Sequence, residues 1–235
     1  MRVDLHTHTC YSFDTFTPME KTIEAIQKSG VDCVAVTDHN EIDGAFKMQK
    51  IAPFKVIVGE EIRTADGEII GLFLKEKIPP KLSALETIRR IKAQGGLVYL
   101  PHPFCFLMGA KLKNHLVWQY VREGLIDIVE VYNAAAIFLM SFKTIHDLMA
   151  GTKLGKAAST DGHTPEEFVG ACVDMADFDG PQDFLAKLKA GRLVMKPGFL
   201  YSTFKLIYNY LIRTKLLRLP HGAELEAKWE KKLAS

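Results

Sequence analysis

Val3-Asp4-Leu5-His6-Thr7-His8 reads as a short buried strand ending in two histidines one residue apart. Side chains at i and i+2 of a strand point to the same side. His6 and His8 can therefore offer two imidazoles to one point, the geometry needed to seat a divalent cation. Isolated His-x-His pairs are common. The weight of this one comes from later strands, which end the same way.

Cys33-Val34-Ala35-Val36 is a continuous apolar run, as expected of a strand covered on both faces. It ends in Thr37-Asp38-His39-Asn40. Val56-Ile57-Val58 ends in Gly59-Glu60-Glu61, and a carboxylate so near a core is costly without a partner. Leu97-Val98-Tyr99-Leu100 closes with Pro101-His102-Pro103, whose prolines are expected to hold an extended backbone. Ile126 to Val131 leads into Tyr132-Asn133, and Ala157 to Thr160 into Asp161-Gly162-His163. Of eight histidines, five stand at strand ends; His115, His146 and His221 fall on helices or in the tail and are read as surface or structural.

Helical segments alternate with these strands. Thr17-Pro18-Met19-Glu20, Ser83 to Glu86 and Thr164 to Glu167 match capping boxes. Helices are predicted near Ile42 to Lys50, Leu116 to Arg122, Ile137 to Met149, and from Pro181 to Gly191. Ala65-Asp66-Gly67 is a hairpin turn signal, and Ala171 to Met175 a last strand. Strand–helix alternation predicts a parallel α/β sheet, whose functional groups collect at the carboxyl ends of its strands. Closing the sheet into a barrel would bring His6, His8, His39, Glu61, His102, Asn133, Asp161 and His163 to one mouth. A mixed set of imidazoles and carboxylates this large suggests more than one ion, and suits zinc, manganese or iron better than magnesium or calcium.

The bulk numbers agree with one barrel-sized domain. The chain has 235 residues, 48% of them apolar, and a formal charge of +2 that demands no polyanionic partner. Cys10, Cys33, Cys105 and Cys172 form no Cys-x-x-Cys pair and are read as free thiols of a reducing, cytoplasmic compartment. A signal-peptide profile and a membrane-spanning run are both absent from the sequence. So are a Gly-x-Ser-x-Gly elbow, a Walker loop and a dinucleotide fingerprint.

Taken in order, these pieces resemble the PHP (polymerase and histidinol phosphatase) superfamily of metal-dependent phosphoesterases. The matching residues are His6-Thr7-His8, Asp14, Thr37 to Asn40, Gly59-Glu60-Glu61, Pro101-His102-Pro103, Glu130 to Asn133 and Thr160 to His163. The resemblance implies a distorted seven-stranded (β/α)7 barrel over residues 1–198, with two or three divalent ions at its mouth. It implies that His6, His8, Glu61 and Asp161 hold a first ion, that Glu61 bridges to a second with His102, and that Asp14, His39 and His163 hold a third. Many members carry a histidine in the following hairpin where this chain has Glu68, so either Glu68 serves as a substitute ligand or the second ion is weakly held.

The function so implied is phosphoester hydrolysis by a metal-activated water, on a phosphorylated small molecule or a nucleotide or oligonucleotide. Asp161 is the candidate base, His39 and His163 would position or protonate the leaving oxygen, and Arg63 and Asn133 would meet the phosphate. The alternative is a non-catalytic metal-binding module with a structural or nucleic-acid-binding role. Residues 199–235 read as a helical tail with a narrow polar stripe and added basic residues. It is expected to pack on the barrel or on a second copy of the chain as a homodimer, in preference to membrane or nucleic acid.

Overall fold

In the computed structural model the apolar runs become strands, and the amphipathic segments become helices packed outside them. The structure describes residues 1–106, 111–136 and 139–196, together with Gly222, Glu224, Ala227 and Lys231. The expected helical tail and its partners therefore lie almost wholly outside the described residues.

Strands β1 (Arg2–Thr7), β2 (Cys33–Val36), β3 (Lys55–Thr64), β4 (Gly67–Leu72), β5 (Leu97–Leu100), β6 (Ile128–Asn133) and β7 (Gly155–Ser159) lie side by side in chain order. β1–β2–β3 and β5–β6–β7 pair in parallel, while β4 runs antiparallel to both of its neighbours. The fold is thus α/β with a nearly closed barrel. Among the described residues, closure is made only at the carboxyl end. There, Asp161 N donates to His6 O at 2.9 Å and His8 N to Gly162 O at 3.0 Å. The other end of β1 instead pairs with antiparallel β8 (Cys172–Asp174), which carries a further strand, β9 (Arg192–Val194). Among the described residues β8 and β9 extend the sheet beyond β1–β7 to nine strands, and β9 is one that periodicity over three residues could not announce.

Alternation along the strands builds two apolar layers. Ala35, Ile57, Ile70, Tyr99, Ile128 and Ala157 fill the barrel interior. Val34, Val36, Val58, Val98 and Val129 face outward, against helices α1 (Met19–Ser29), α2 (Asp43–Ile51), α3 (Ala84–Ala93) and α4 (Asn114–Arg122). α5 (Phe142–Met149) joins the outer layer through Ile145 and Leu148, and α6 (Gly180–Lys189) turns Phe184 and Leu188 to the interior cluster. A register shift interrupts β1. Asp4 to Thr7 spans three steps where Val34 to Val36 on β2 spans two. The extra residue breaks the alternation, so that both Leu5 and His6 face inward.

Several local expectations change. α1 begins after Pro18, which makes no side-chain cap, so Thr17 is not its N-cap. Ser83 does cap α3, accepting from Glu86 N. In the Thr164–Glu167 box Glu167 accepts from Thr164 N, but the box closes only a 3-10 turn, because Phe168 leaves helical geometry at once. α5 starts at Phe142, five residues later than the pattern suggested. No helix among the described residues is long and apolar enough to cross a membrane.

Candidate metal centre

The carboxyl ends of the parallel strands, together with the amino end of antiparallel β4, deliver nine potential ligands to one mouth. β1 gives His6, and the loop after it gives His8 and Asp14; β2 leads to His39, β3 carries Glu61 and β4 carries Glu68. β5 leads to His102 and β7 to Asp161 and His163. All but His39 are buried.

Glu61 lies at the middle. Its Oε2 is 3.3 Å from His6 Nε2, 3.6 Å from His8 Nε2 and 3.1 Å from His39 Nδ1, while its Oε1 is 3.1 Å from His102 Nε2. Asp161 Oδ1 is 3.4 Å from His6 Nε2 and 3.2 Å from His8 Nε2. Asp14 Oδ2 is 3.4 Å from Nε2 of both His39 and His163. Glu68 reaches in from β4, 3.9 Å from His39 Nδ1 and from His102 Nε2. Four triads bring their donor atoms within 4.8 Å of one another: His6–His8–Asp161, His6–Glu61–His102, His39–Glu61–Glu68 and His8–His39–His163. Donor atoms about 2.0–2.2 Å from a shared cation stand about 3–4 Å apart, which is the spacing seen.

The donor set fits divalent cations on a second count. Nε2 of His8 and of His163 are buried without a hydrogen-bond partner. Buried polar atoms are rarely left so. The Nδ1 of His163 lies 2.8 Å from the Asp161 carbonyl, so that its N–H faces the backbone and Nε2 faces the mouth.

Charge is balanced within the cluster. Burial alone would hold Glu61, Asp161 and Asp14 neutral, but the neighbouring imidazoles outweigh it and keep all three carboxyls well below their usual range. Burial likewise disfavours charge on His39 and His163, yet their carboxylate neighbours, Asp14 foremost, raise them to about 10 and about 9. His8 is pushed down to about 3 by burial and by the charge of His163. Cations would replace those protons one charge for another.

An outer ring holds the ligands in place. Glu130 accepts from Tyr99 Oη at 2.7 Å, from His102 N at 2.6 Å and from Asn133 Nδ2 at 3.0 Å, and its Oε1 lies 3.2 Å from His6 Nδ1. Ser12 Oγ donates to Asp14 and accepts from His39 N. Glu167 accepts from His163 N and Thr164 N. Sequence reading gave Ser12 and Tyr99 no part in the site and placed Glu130 only among the residues that carry the resemblance, although Glu130 carried the same signal as Glu61: an acid inside an apolar strand. The backbone is strained here too. His102, Asp161 and Asn40 have φ of +28°, +54° and +53°, a region costly for residues other than glycine. His102 is thus turned, not extended as its prolines suggested.

The two expected phosphate contacts part company. Arg63 is at the rim, its side chain 48% exposed and paired with Glu68 at 3.0 Å. Asn133 is wholly buried, with its amide N–H groups on Glu130 and Asp161 and its oxygen accepting from Ala136 N. From that position it braces two carboxylates of the site. His115 and His146 are exposed, as expected of surface residues; His221 lies outside the described residues.

Fold and site together define a β/α barrel with a clustered imidazole–carboxylate centre. A PHP domain family model matches residues 4–80. The chain is 39% identical over 150 residues to the uncharacterized protein MJ1587 of Methanocaldococcus jannaschii, covering 57% of this chain and 82% of that protein. It is 31% identical over 225 residues to the uncharacterized protein MJ0417 of the same organism, covering 89% and 90%. A solved two-domain protein from Bacteroides vulgatus, described as containing a predicted PHP-like metal-dependent phosphoesterase, shares the fold with a TM-score of 0.56 at 19% identity. That match covers 89% of this chain and 63% of the other, so the chain spans less than two thirds of the two-domain protein. The chain belongs to the PHP domain family.

Proposed function

We propose that this chain is a metal-dependent phosphoesterase acting on a phosphomonoester or on a nucleotide or oligonucleotide phosphodiester. The observation that carries the reading is the convergence of His6, His8, Glu61 and Asp161, with His102, His39, Asp14, Glu68 and His163 around them, at one barrel mouth. Two or three divalent ions held there would polarise phosphoryl oxygens and acidify an attacking water.

The remaining work falls to the chain's own side chains. Asp161 turns Oδ1 to His6 and His8 while Asn133 fixes Oδ2 at 3.1 Å. A carboxylate so placed can take the proton of a water arriving from the mouth. With only two ions bound and His163 left free of metal, it can hold or give a proton at Nε2 alone, since its Nδ1 faces the Asp161 carbonyl. His39, whose side chain is 13% exposed, is the imidazole of the cluster nearest solvent and, where a third ion does not hold it, is suited to the leaving oxygen. The Arg63 guanidinium supplies a planar fork for phosphate at the rim. Four free, buried cysteines support placing the protein in a reducing compartment.

The test is hydrolysis of aryl phosphate mono- and diesters by chelator-stripped protein resupplied with Mn2+, Zn2+ or Fe2+. Activity should require the cation and be abolished in His8→Ala with the far-ultraviolet circular dichroism unchanged. Wild-type activity in that variant would contradict the reading.

A further inference from the structure

Arg63 and Glu68 face each other across the β3–β4 hairpin as a registered antiparallel pair. Arg63 Nη1 donates to Glu68 Oε1 at 3.0 Å. The two ends of this pair stand in different surroundings. The arginine side chain is 48% exposed, the glutamate side chain 7%. From the buried end, Glu68 reaches His39 with the same Oε1 that holds the arginine, and His102 with Oε2, both at 3.9 Å. It also shares a candidate cation triad with His39 and Glu61.

One carboxylate thus has two claimants of the same sign, a guanidinium and a cation. Like charges a few ångströms apart repel, so each weakens the other's hold on Glu68. Among the described residues, the Glu68 contact is the single partner recorded for the Arg63 guanidinium. Once loosened, that group stands at the rim of the mouth with a donor fork that matches a phosphate.

We propose that Arg63 and Glu68 form a counter-ion exchange. A divalent cation takes over Glu68, and the displaced arginine takes the phosphoryl group of the substrate. Cation and phosphate therefore bind in that order, and Arg63 acts on them with opposite sign: it opposes the cation and favours the anion. The inference rests on the phosphoesterase reading above, but it is tested by binding rather than turnover.

The experiment is calorimetric titration of the chelator-stripped full chain with Mn2+, followed by titration of the Mn2+-loaded chain with inorganic phosphate. Wild type, Arg63→Gln and Arg63→Lys are compared. Arg63→Gln should tighten the weakest Mn2+ site and weaken phosphate, each by about tenfold, within the usual range of coupling between sites. Arg63→Lys keeps the charge but not the fork, so it should leave Mn2+ binding within about twofold and still weaken phosphate. If Arg63→Gln weakens both ligands, the arginine merely positions Glu68; if it moves neither, it is a surface charge. Either result overturns the exchange while leaving the phosphoesterase reading intact. A wild-type chain that binds none of Mn2+, Zn2+ and Fe2+ overturns both.

Discussion

His6 Nδ1 lies 3.2 Å from Glu130 Oε1, and both side chains are completely buried. Glu130 thereby turns the other nitrogen of His6 toward Glu61 and Asp161. Burial opposes charge on Glu130, but His6 outweighs it and holds the carboxyl below its usual range. All the groups facing this carboxylate are donors or become donors to it. Glu130→Gln would set an amide N–H against one of them. The variant should lose about 1–3 kcal/mol of stability and about 10–100-fold in Mn2+ affinity. Urea unfolding and calorimetry measure the two, and an unchanged Mn2+ affinity would show that Glu130 does not orient His6.

Gly44, in the first turn of α2, sits against a buried pair. Thr9 donates to Asp38 through both its N–H and its hydroxyl, each at 2.6 Å, tying the loop after His8 to the residue before His39. A Cβ at position 44 would collide with the Asp38 carboxylate and the Thr9 hydroxyl. Gly44→Ala should cost about 1–3 kcal/mol, as overpacking does, and should weaken Mn2+ binding by displacing His8 and His39 together. A urea midpoint equal to wild type would contradict this.

Burial pushes the thiols of Cys33 and Cys172 up to about 12 and about 11, from an ordinary 9.0. Both lie away from the metal centre. Their native forms stay neutral at a pH where the unfolded thiols ionise. The stability they lend is therefore whole below pH 9 and falls as pH rises toward 11–12, by roughly 1.4 kcal/mol per thiol at pH 10. Iodoacetamide at pH 9 should label neither cysteine in the native chain and both in urea. Stoichiometric native labelling would contradict the burial argument.

Much of the site was legible because its residues are chemically out of place. Glu61 stands inside an apolar strand, and His39, His102 and His163 follow others; polar groups at such positions point to a common use. The barrel followed from the need for those groups to converge. What stayed hidden depends on direction rather than composition. Asn133 stands at a strand end like the ligands, but the shifted register of β6 turns its amide toward Glu130 and Asp161. The β1 bulge that aims His6 inward leaves no mark on the alternation of so short a strand. The antiparallel course of β8 depends on where the chain returns to β1, which local pattern does not encode.

The central claim is that imidazoles and carboxylates from separate strands share cations at one mouth. Anomalous diffraction at the manganese absorption edge, from crystals of the protein soaked in Mn2+, tests it most directly. The account predicts one peak among His6, His8, Glu61 and Asp161 and a second beside His102 and Glu61, each about 2.0–2.3 Å from its donor atoms. Manganese found only at surface carboxylates, with none between Glu61 and Asp161, would contradict it.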